Sequence, residues 1–305
     1  MPHVFTRRTF YAAQNRFTNN AATLTRYLNP PAGIRPNGDH IIDRDQWLSE
    51  VDARANGRDI LVFIHGFNTD QGEMLVRLNK IETNLAAQGF QGVVVAFDWP
   101  SNGSILGYAS DRADAKKVAP HMIVDGLGPL LNLRAGQKVH LLCHSMGAYL
   151  MLRGFAGVGD SGAPGTTPWS VDEVLFVSGD CDQDWFEQGA WGGLVIDYRA
   201  ERFTNYYSTL DQVLDLSGSI IHGEPRAGHD GLPASVPAKF HDVYCGQQYI
   251  DKVPDAEKGR VRSHTWYFDD AGFYRDVALT LDGQTPASMP TRRPVQGSSD
   301  LALLT

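Results

Sequence analysis

The sequence predicts an α/β fold with a mainly parallel central sheet and helices on both of its faces. Three observations predict it. Short apolar runs rich in β-branched residues recur along the chain, which is typical of strands buried on both faces. Longer segments with helical patterning separate these runs, as the crossovers of a parallel sheet require. With 305 residues, 42% hydrophobic and 20% charged, the chain is also long and apolar enough to bury a large core.

Six apolar runs are the predicted strands. In chain order they are residues 59–66 (DILVFIHG), 92–99 (GVVVAFDW), 138–145 (KVHLLCHS), 171–179 (VDEVLFVSG), 202–208 (RFTNYYS) and 239–249 (KFHDVYCGQQY). Between the first two, residues 69–88 carry apolar side chains three to four positions apart and end at Gly89, which predicts a helix. Residues 269–283 are the predicted closing helix.

The composition of the two ends differs from that of the centre. Residues 58–284 are predicted to form one catalytic domain, preceded by an N-terminal segment and loop, residues 1–57, that packs on the core. The loop is indicated by the Pro- and Gly-rich stretch at residues 29–40. Residues 285–305 are rich in Pro, Ser and Arg and are predicted to form an extended or disordered tail.

Charge and composition exclude several classes of partner. The net charge is −8 and no basic run compensates it, so nucleic acid is not expected as a partner. No stretch approaches the roughly 20 apolar residues of a membrane span, and the N-terminus lacks a signal-like apolar run, so a cytoplasmic protein is expected. The cysteines form no C-x-x-C pair and are predicted to be buried thiols, namely Cys143, Cys181 and Cys245. No metal and no cofactor are expected, and the oligomeric state stays open.

The pentapeptide CHSMG at residues 143–147 carries the candidate nucleophile. Ser145 lies where a predicted strand meets a predicted helix, and a serine at such a sharp turn exposes its hydroxyl at the edge of the sheet. The turn leaves room only for small flanking residues, which Cys143 and Gly147 satisfy. His144 adjoins the serine and is expected to point away from it.

A second strand end predicts the donors of an oxyanion hole. The run FIHGFN at residues 63–68 ends an earlier strand before a helix, the place from which a backbone amide can face the serine. Gly66 permits a tight turn, and the amide of Phe67 is the predicted donor beside the amide of Met146.

A nucleophilic serine needs a base that takes its proton, and the base needs a carboxylate that orients it. The histidines downstream of the serine are His222, His229, His241 and His264. His264 is the predicted base because it falls in a loop between the last strand and the closing helix. Asp211, two strands after the serine strand, is the predicted acid, and Asp180, one strand after it, is the alternative.

These blocks together resemble the α/β-hydrolase superfamily, and within it a bacterial family of unknown function, DUF900. The resemblance covers roughly residues 58–280 and rests on FIHGFN, FDWPSNGSILGYASDRADAKK, HLLCHSMGAYLMLRGF, FVSGDCDQDWF, YYSTLDQVLDLS and HTWYFDDAGFYRD in this order. It implies an α/β-hydrolase fold and a Ser…Asp…His order, which maps onto Ser145, Asp211 or Asp180, and His264. Cys143 departs from the Ala or Gly of relatives, and SGD at residues 178–180 departs from their APD.

Aromatic residues near the predicted site have two interpretations each. Trp99 and Tyr108 follow the second predicted strand and either line a substrate pocket or pack their loop on the core. Trp185, Phe186 and Trp191 belong either to a cap over the site or to the core.

The function expected from these residues is that of a serine hydrolase acting on small-molecule carboxylic esters through an acyl-enzyme on Ser145. An acyltransferase or amidase would use the same residues. A binding protein that keeps the fold without the chemistry is the third possibility.

Overall fold

A computed structural model describes residues 1–101, 107–160 and 168–305. Its strands are β1 (His3–Tyr11), β2 (Arg16–Leu28), β3 (Ile41–Ile42), β4 (Ile60–Ile64), β5 (Val93–Asp98), β6 (Val139–His144), β7 (Val171–Val177), β8 (Ala200–Tyr207), β9 (Phe240–Tyr244), β10 (Arg292–Pro294) and β11 (Leu301–Leu303). All of them belong to one sheet in the order β10-β11-β9-β8-β7-β6-β4-β5-β1-β2-β3.

The centre of this sheet is parallel, as the sequence predicts. Parallel pairing runs from β11 through β9, β8, β7, β6, β4 and β5 to β1. The pairs that involve β2, β3 and β10 are antiparallel and lie at the two edges. The predicted strands at residues 59–66, 92–99, 138–145, 171–179, 202–208 and 239–249 correspond to β4 through β9.

Helices cover both faces of the sheet. They are α1 (Arg44–Ala55), α2 (Gln71–Ala87), α3 (Tyr108–His121), α4 (Gly128–Leu131), α5 (Met146–Gly157), α6 (Trp191–Arg199), α7 (Gln212–Leu216), α8 (Ala227–Asp230), α9 (Gly246–Lys252), α10 (Arg260–Thr265) and α11 (Ala271–Leu281). Shorter 3-10 and π turns extend or join several of them. In the part of the chain that the structure describes, no helix is both long enough and apolar enough to cross a bilayer.

Two hydrophobic cores lie on opposite faces of the sheet, because alternate side chains of a strand point to opposite faces. In β4, Ile60, Val62 and Ile64 join the core under α1, α3, α5 and α6. Leu61 and Phe63 join the other core, under α2, α9 and α11. Such burial on both faces explains the nearly continuous apolar runs of the central strands.

The structure differs from the sequence prediction at both ends of the chain. The N-terminal residues form β1, β2 and β3, so they extend the sheet itself. The predicted tail, residues 285–305, is also an ordered part of the sheet, because it forms β10 and β11. Arg292 and Leu303 are buried there. The sequence around them is short and polar, so it does not predict that these strands belong to the sheet.

Two predicted elements near the site are also revised. The strand predicted for residues 239–249 ends at Tyr244, and the chain continues as α9. Gln248 of that helix hydrogen-bonds Asp270 and Thr305, contacts that a strand would not provide. His264 lies in the short helix α10, where the sequence predicts a loop.

Candidate active site

Ser145 lies between β6 and α5 in a strained backbone conformation, with φ 54° and ψ −126°. Residues other than glycine rarely adopt a positive φ, and such strain costs on the order of 1–3 kcal/mol. Hydrogen bonds hold it on both sides: its amide donates to the Val177 carbonyl (3.1 Å), and its carbonyl accepts from the amides of Ala148 and Asp180 (3.0 Å each). The buried turn therefore places the serine between two strand ends.

Small residues around this turn are required by close backbone contacts. A Cβ atom on Gly147 would lie 2.5 Å from the Ile64 carbonyl oxygen, and one on Gly66 would lie 2.7 Å from the Ser145 Cβ. Cys143 is fully buried beneath the turn, where burial raises the pKa of its thiol well above the ordinary value. Cysteine therefore serves as a small core residue at the position where the familiar motif has glycine.

The structure brings together His264 and Asp211, the base and acid that the sequence favours. His264 Nδ1 lies 2.7 Å from Asp211 Oδ2, and both side chains are buried. The other carboxylate oxygen of Asp211 accepts hydrogen bonds from the amides of Val213 and Leu214 (3.1 Å each) and caps α7. Among the described residues, the His264 ring hydrogen-bonds the Asp211 carboxylate. It does not hydrogen-bond the Ser145 hydroxyl in this structure. Such bonds are often loose without substrate.

His144 links the turn at Ser145 to His264. Its ring centroid is 4.7 Å from that of His264, and its Nε2 lies 3.1 Å from the His264 carbonyl oxygen. Burial, with the nearby His264 and Arg77, lowers the pKa of His144 well below its ordinary value. A neutral His144 can donate from Nε2 to the His264 carbonyl. Because His144 precedes Ser145 directly, this bond ties α10 to the turn at Ser145.

The turn after β4 lies directly against Ser145. The Phe67 amide follows Gly66 directly in the chain, and a Cβ atom on Gly66 would lie 2.7 Å from the Ser145 Cβ. Met146 supplies the first amide of α5. The loops and helix caps that the structure describes contain no backbone hydrogen bond from either amide, which leaves both able to bind a developing oxyanion.

His65 fixes the same turn from inside. Its Nδ1 lies 2.9 Å from the Gly66 carbonyl oxygen, and its Nε2 accepts from the Trp99 amide (3.2 Å). Burial lowers the pKa of His65, in keeping with a neutral ring whose proton is on Nδ1.

A family model described as alpha/beta hydrolase of unknown function (DUF900) matches residues 42–266. The chain belongs to this family. One curated relative, the uncharacterized protein alr1448 of Nostoc sp. (strain PCC 7120 / SAG 25.82 / UTEX 2576), is 37% identical over 57 residues. That match covers 19% of this chain and 15% of the relative, far less than two thirds of the relative's length.

Asp180, the alternative acid of this DUF900 hydrolase, is engaged elsewhere. Its Oδ1 accepts from Arg226 (2.9 Å from Nε) and from the Ser217 hydroxyl (3.0 Å), and its Oδ2 accepts from the Tyr108 hydroxyl (2.6 Å). Burial alone would raise the pKa of Asp180, but Arg226 and Tyr108 outweigh it and hold the pKa below its ordinary value. The carboxylate that contacts His264 is therefore that of Asp211.

The two residues predicted to line a substrate pocket differ in position. Trp99 is fully buried, stacks on His65 with ring centroids 5.2 Å apart and donates from Nε1 to the His65 carbonyl (2.8 Å). Its predicted role in lining the pocket is therefore wrong, because the buried side chain packs against His65 in the turn after β4. Tyr108 is only partly buried, and its ring contacts Phe67 edge-on at 5.4 Å. Its hydroxyl donates to Asp180 Oδ2 (2.6 Å), and its contact with substrate stays a prediction.

The aromatic residues after Asp180 divide between core and surface. Phe186 is buried and stacks on Phe203 with an interplanar angle of 10°, as a core residue does. Trp185 and Trp191 are half-buried, with ring centroids 4.8 Å apart. Arg153, on α5, places its guanidinium 4.6 Å from the Trp191 ring centroid.

Two basic side chains near the site, Arg226 and Arg8, carry no signal in the sequence, and His222 is considered there only as one of four histidines downstream of Ser145. Arg226 holds Asp180, and His222 Nε2 lies 2.8 Å from the Tyr108 hydroxyl. No local pattern identifies them, since their partners are remote along the chain. Among the described residues, no three His, Cys, Asp or Glu side chains are grouped as metal ligands would be.

Proposed function

We propose that this α/β hydrolase cleaves carboxylic esters through an acyl-enzyme on Ser145. The observation that carries the proposal is the strained, buried backbone of Ser145 at the junction of β6 and α5, with φ 54°. Strain of this kind persists only where surrounding contacts hold it, and it concentrates at reactive residues. The contact between His264 and Asp211 adds the base and its orienting carboxylate.

In the proposed reaction, His264 Nε2 takes the Ser145 hydroxyl proton while the oxygen attacks the ester carbonyl. The amides of Phe67 and Met146 donate to the resulting oxyanion. The alcohol leaves with the proton from His264. His264 then takes a proton from a water molecule whose oxygen attacks the acyl carbon, and it returns this proton to the Ser145 oxygen as the carboxylic acid leaves. Asp211 holds the proton on Nδ1 throughout and stabilises the charged ring.

Kinetics on short p-nitrophenyl esters test the proposal. Ser145→Ala removes the nucleophile and should lower kcat on the order of 10⁴-fold or more. Ser178→Ala is the matched control, because Ser178 is also buried, follows the neighbouring strand and has a positive φ of 48°. This control should keep kcat within about tenfold of the parent.

Retention of the parent's turnover by Ser145→Ala would show the proposal to be wrong. The product identifies the reaction class: with methanol or a primary amine added, hydrolysis still yields mainly the free acid, whereas an acyltransferase yields the methyl ester or the amide.

A further inference from the structure

We propose that Arg8, in strand β1, is a positioning residue for the oxyanion hole, so that the N-terminal strand is part of the active-site frame. The inference rests on the proposed function, because it assigns the Phe67 amide to the oxyanion. It concerns a part of the chain that precedes the family match, which begins at residue 42.

Register places Arg8 beside the site. β1 pairs in parallel with β5, and Thr6 lies opposite Asp98, the last residue of β5. Arg8 is two residues further along, beyond the pairing with β5, and its side chain bonds Asp98 as that of Thr6 does. The end of β5 lies at the carboxyl edge of the sheet, where the turn carrying Phe67 also lies.

The guanidinium of Arg8 is buried and joins four segments of the chain, one of which is β2, where Nη1 donates to Asn19 Oδ1 (2.5 Å). Nε donates to Asp98 Oδ1 (2.7 Å), at the end of β5. Nη2 donates to the Thr69 carbonyl (2.9 Å), in the turn between β4 and α2. Nη1 donates to the Ser101 carbonyl (3.3 Å), in the loop after β5. Only a planar guanidinium offers donors in these directions at once.

Asp98, the ion-pair partner of Arg8, also bonds side chains of β1 and α2. Its Oδ2 accepts from the Thr6 hydroxyl and from Nε2 of Gln71 (2.9 Å each), and Gln71 is the first residue of α2. Its Oδ1 lies 3.4 Å from His65 Nε2. Burial would raise the pKa of Asp98, but the charge and the hydrogen bond of Arg8 oppose this effect, and the pKa lies well below the ordinary value. A charged pair buried in this way is costly to break.

Thr69 transmits this arrangement to Phe67. Its hydroxyl donates to the Phe67 carbonyl (3.3 Å), and its amide donates to the Ser101 hydroxyl (3.3 Å). On the other side of Phe67, the Gly66 carbonyl accepts from His65 Nδ1 (2.9 Å). The Phe67 peptide is thus fixed from both ends, and Arg8 holds the end that leads into α2.

A second buried ion pair, elsewhere in the chain, serves as a control for the effect of Arg8 on the stability of the fold. Arg292 and Asp276 are equally buried, with Nη2 2.7 Å from Oδ1, but they join the C-terminal strands to α11. Arg8→Lys and Arg292→Lys each keep the charge and lose the guanidinium fork. Both should lower the melting temperature, and only Arg8→Lys should disturb the oxyanion turn.

The experiment measures kcat, KM and melting temperature of the full chain with a p-nitrophenyl ester, beside the Ser145→Ala baseline. Arg8→Lys should lower kcat roughly 10- to 100-fold with KM within about twofold, since an oxyanion donor acts mainly on the transition state. The rate of Ser145 labelling by a fluorophosphonate should fall by a similar factor. Arg292→Lys should keep kcat within about twofold.

Equal kcat values for folded Arg8→Lys and Arg292→Lys would overturn the inference. If Arg8→Lys does not fold, Thr69→Val decides: it removes only the hydroxyl on the Phe67 carbonyl and should lower kcat about fivefold or more, and an unchanged kcat refutes the positioning role. Turnover that does not depend on Ser145 would instead overturn the proposed function, and this inference with it.

Discussion

At the scale of single residues, Asp211 uses its two carboxylate oxygens for different partners. Oδ1 caps α7 by accepting from two amides, and this fixes the side-chain rotamer. Oδ2 is thereby aimed at His264 Nδ1. Asp180 has both oxygens occupied by Arg226, Ser217 and Tyr108, so its charge is balanced within its own cluster.

Replacing each aspartate by asparagine tests this assignment. Asp211→Asn keeps an oxygen for the helix cap but presents an N–H to His264 Nδ1, which forces the ring proton onto Nε2. The ring then cannot accept the serine proton, and kcat on an ester should fall on the order of 10⁴-fold. Asp180→Asn should lower the melting temperature while kcat falls about tenfold or less. A larger loss of kcat for Asp180→Asn would reverse the roles.

The sequence predicts much of the site because its signals are local. Ser145 and the turn at Phe67 each follow an apolar run and precede a helical one, so strand ends could be located without the fold. The choice between Asp211 and Asp180 could not be made in that way. It depends on which remote group faces each carboxylate, and Arg226 carries no local signature. Trp99 was misplaced for a similar reason, since a strand-end aromatic can face either pocket or core.

At the scale of elements, β1 is tied to α1 by a neutral histidine. His3 Nδ1 accepts from Arg54 Nη1 (2.9 Å), and its Nε2 lies 3.2 Å from Glu50 Oε2. Burial and the Arg54 charge lower the pKa of His3 to about 4, against the opposing effect of Glu50. A proton on Nδ1 would face the Arg54 guanidinium directly.

This geometry predicts acid sensitivity with a definite sign. Because the folded-state pKa of His3 is below the unfolded value of 6.5, the unfolded chain binds the proton more readily. The stability contributed by neutral His3 is present above about pH 6.5 and is lost as the pH falls towards 4, by about 3 kcal/mol of unfolding free energy.

Urea unfolding between pH 7.5 and 4.5 measures the effect. The free energy of unfolding should fall less steeply with acid in His3→Gln than in the parent, whereas the control His121→Gln, whose side chain is 41% exposed, should follow the parent. Parallel curves for His3→Gln and the parent would contradict the assignment.

The sequence does not predict β1 as a strand, and the reason is physical. The central strands are apolar on both faces, and that pattern identifies them. β1 contains Arg7 and Arg8, which read as polar although both are buried. Their burial depends on distant partners such as Asp98, so only the tertiary structure reveals the strand.

At the scale of the whole molecule, the C-terminal residues close one edge of the sheet. Arg292, in β10, donates to both oxygens of Asp276 and to the Thr280 hydroxyl in α11. Leu303, in β11, is fully buried in the core on the α11 face. The charge of Asp276 is therefore neutralised by a segment that lies outside the family match.

Neighbouring arginines provide a matched test of this closure. Arg292→Met leaves the Asp276 carboxylate buried without its cation and should cost about 3–5 kcal/mol of unfolding free energy. Arg293→Met alters an exposed side chain and should change it by no more than about 0.5 kcal/mol. Equal values from urea unfolding would show that the C-terminal strands contribute little to stability.

The central claim is that Ser145 is an activated nucleophile. Intact-protein and peptide mass spectrometry after treatment with a fluorophosphonate tests it most directly. The account predicts one adduct per chain, on Ser145, that forms in the parent, is absent from Ser145→Ala and forms far more slowly in His264→Ala. An unlabelled parent, or an adduct on another residue that persists in Ser145→Ala, would contradict the account.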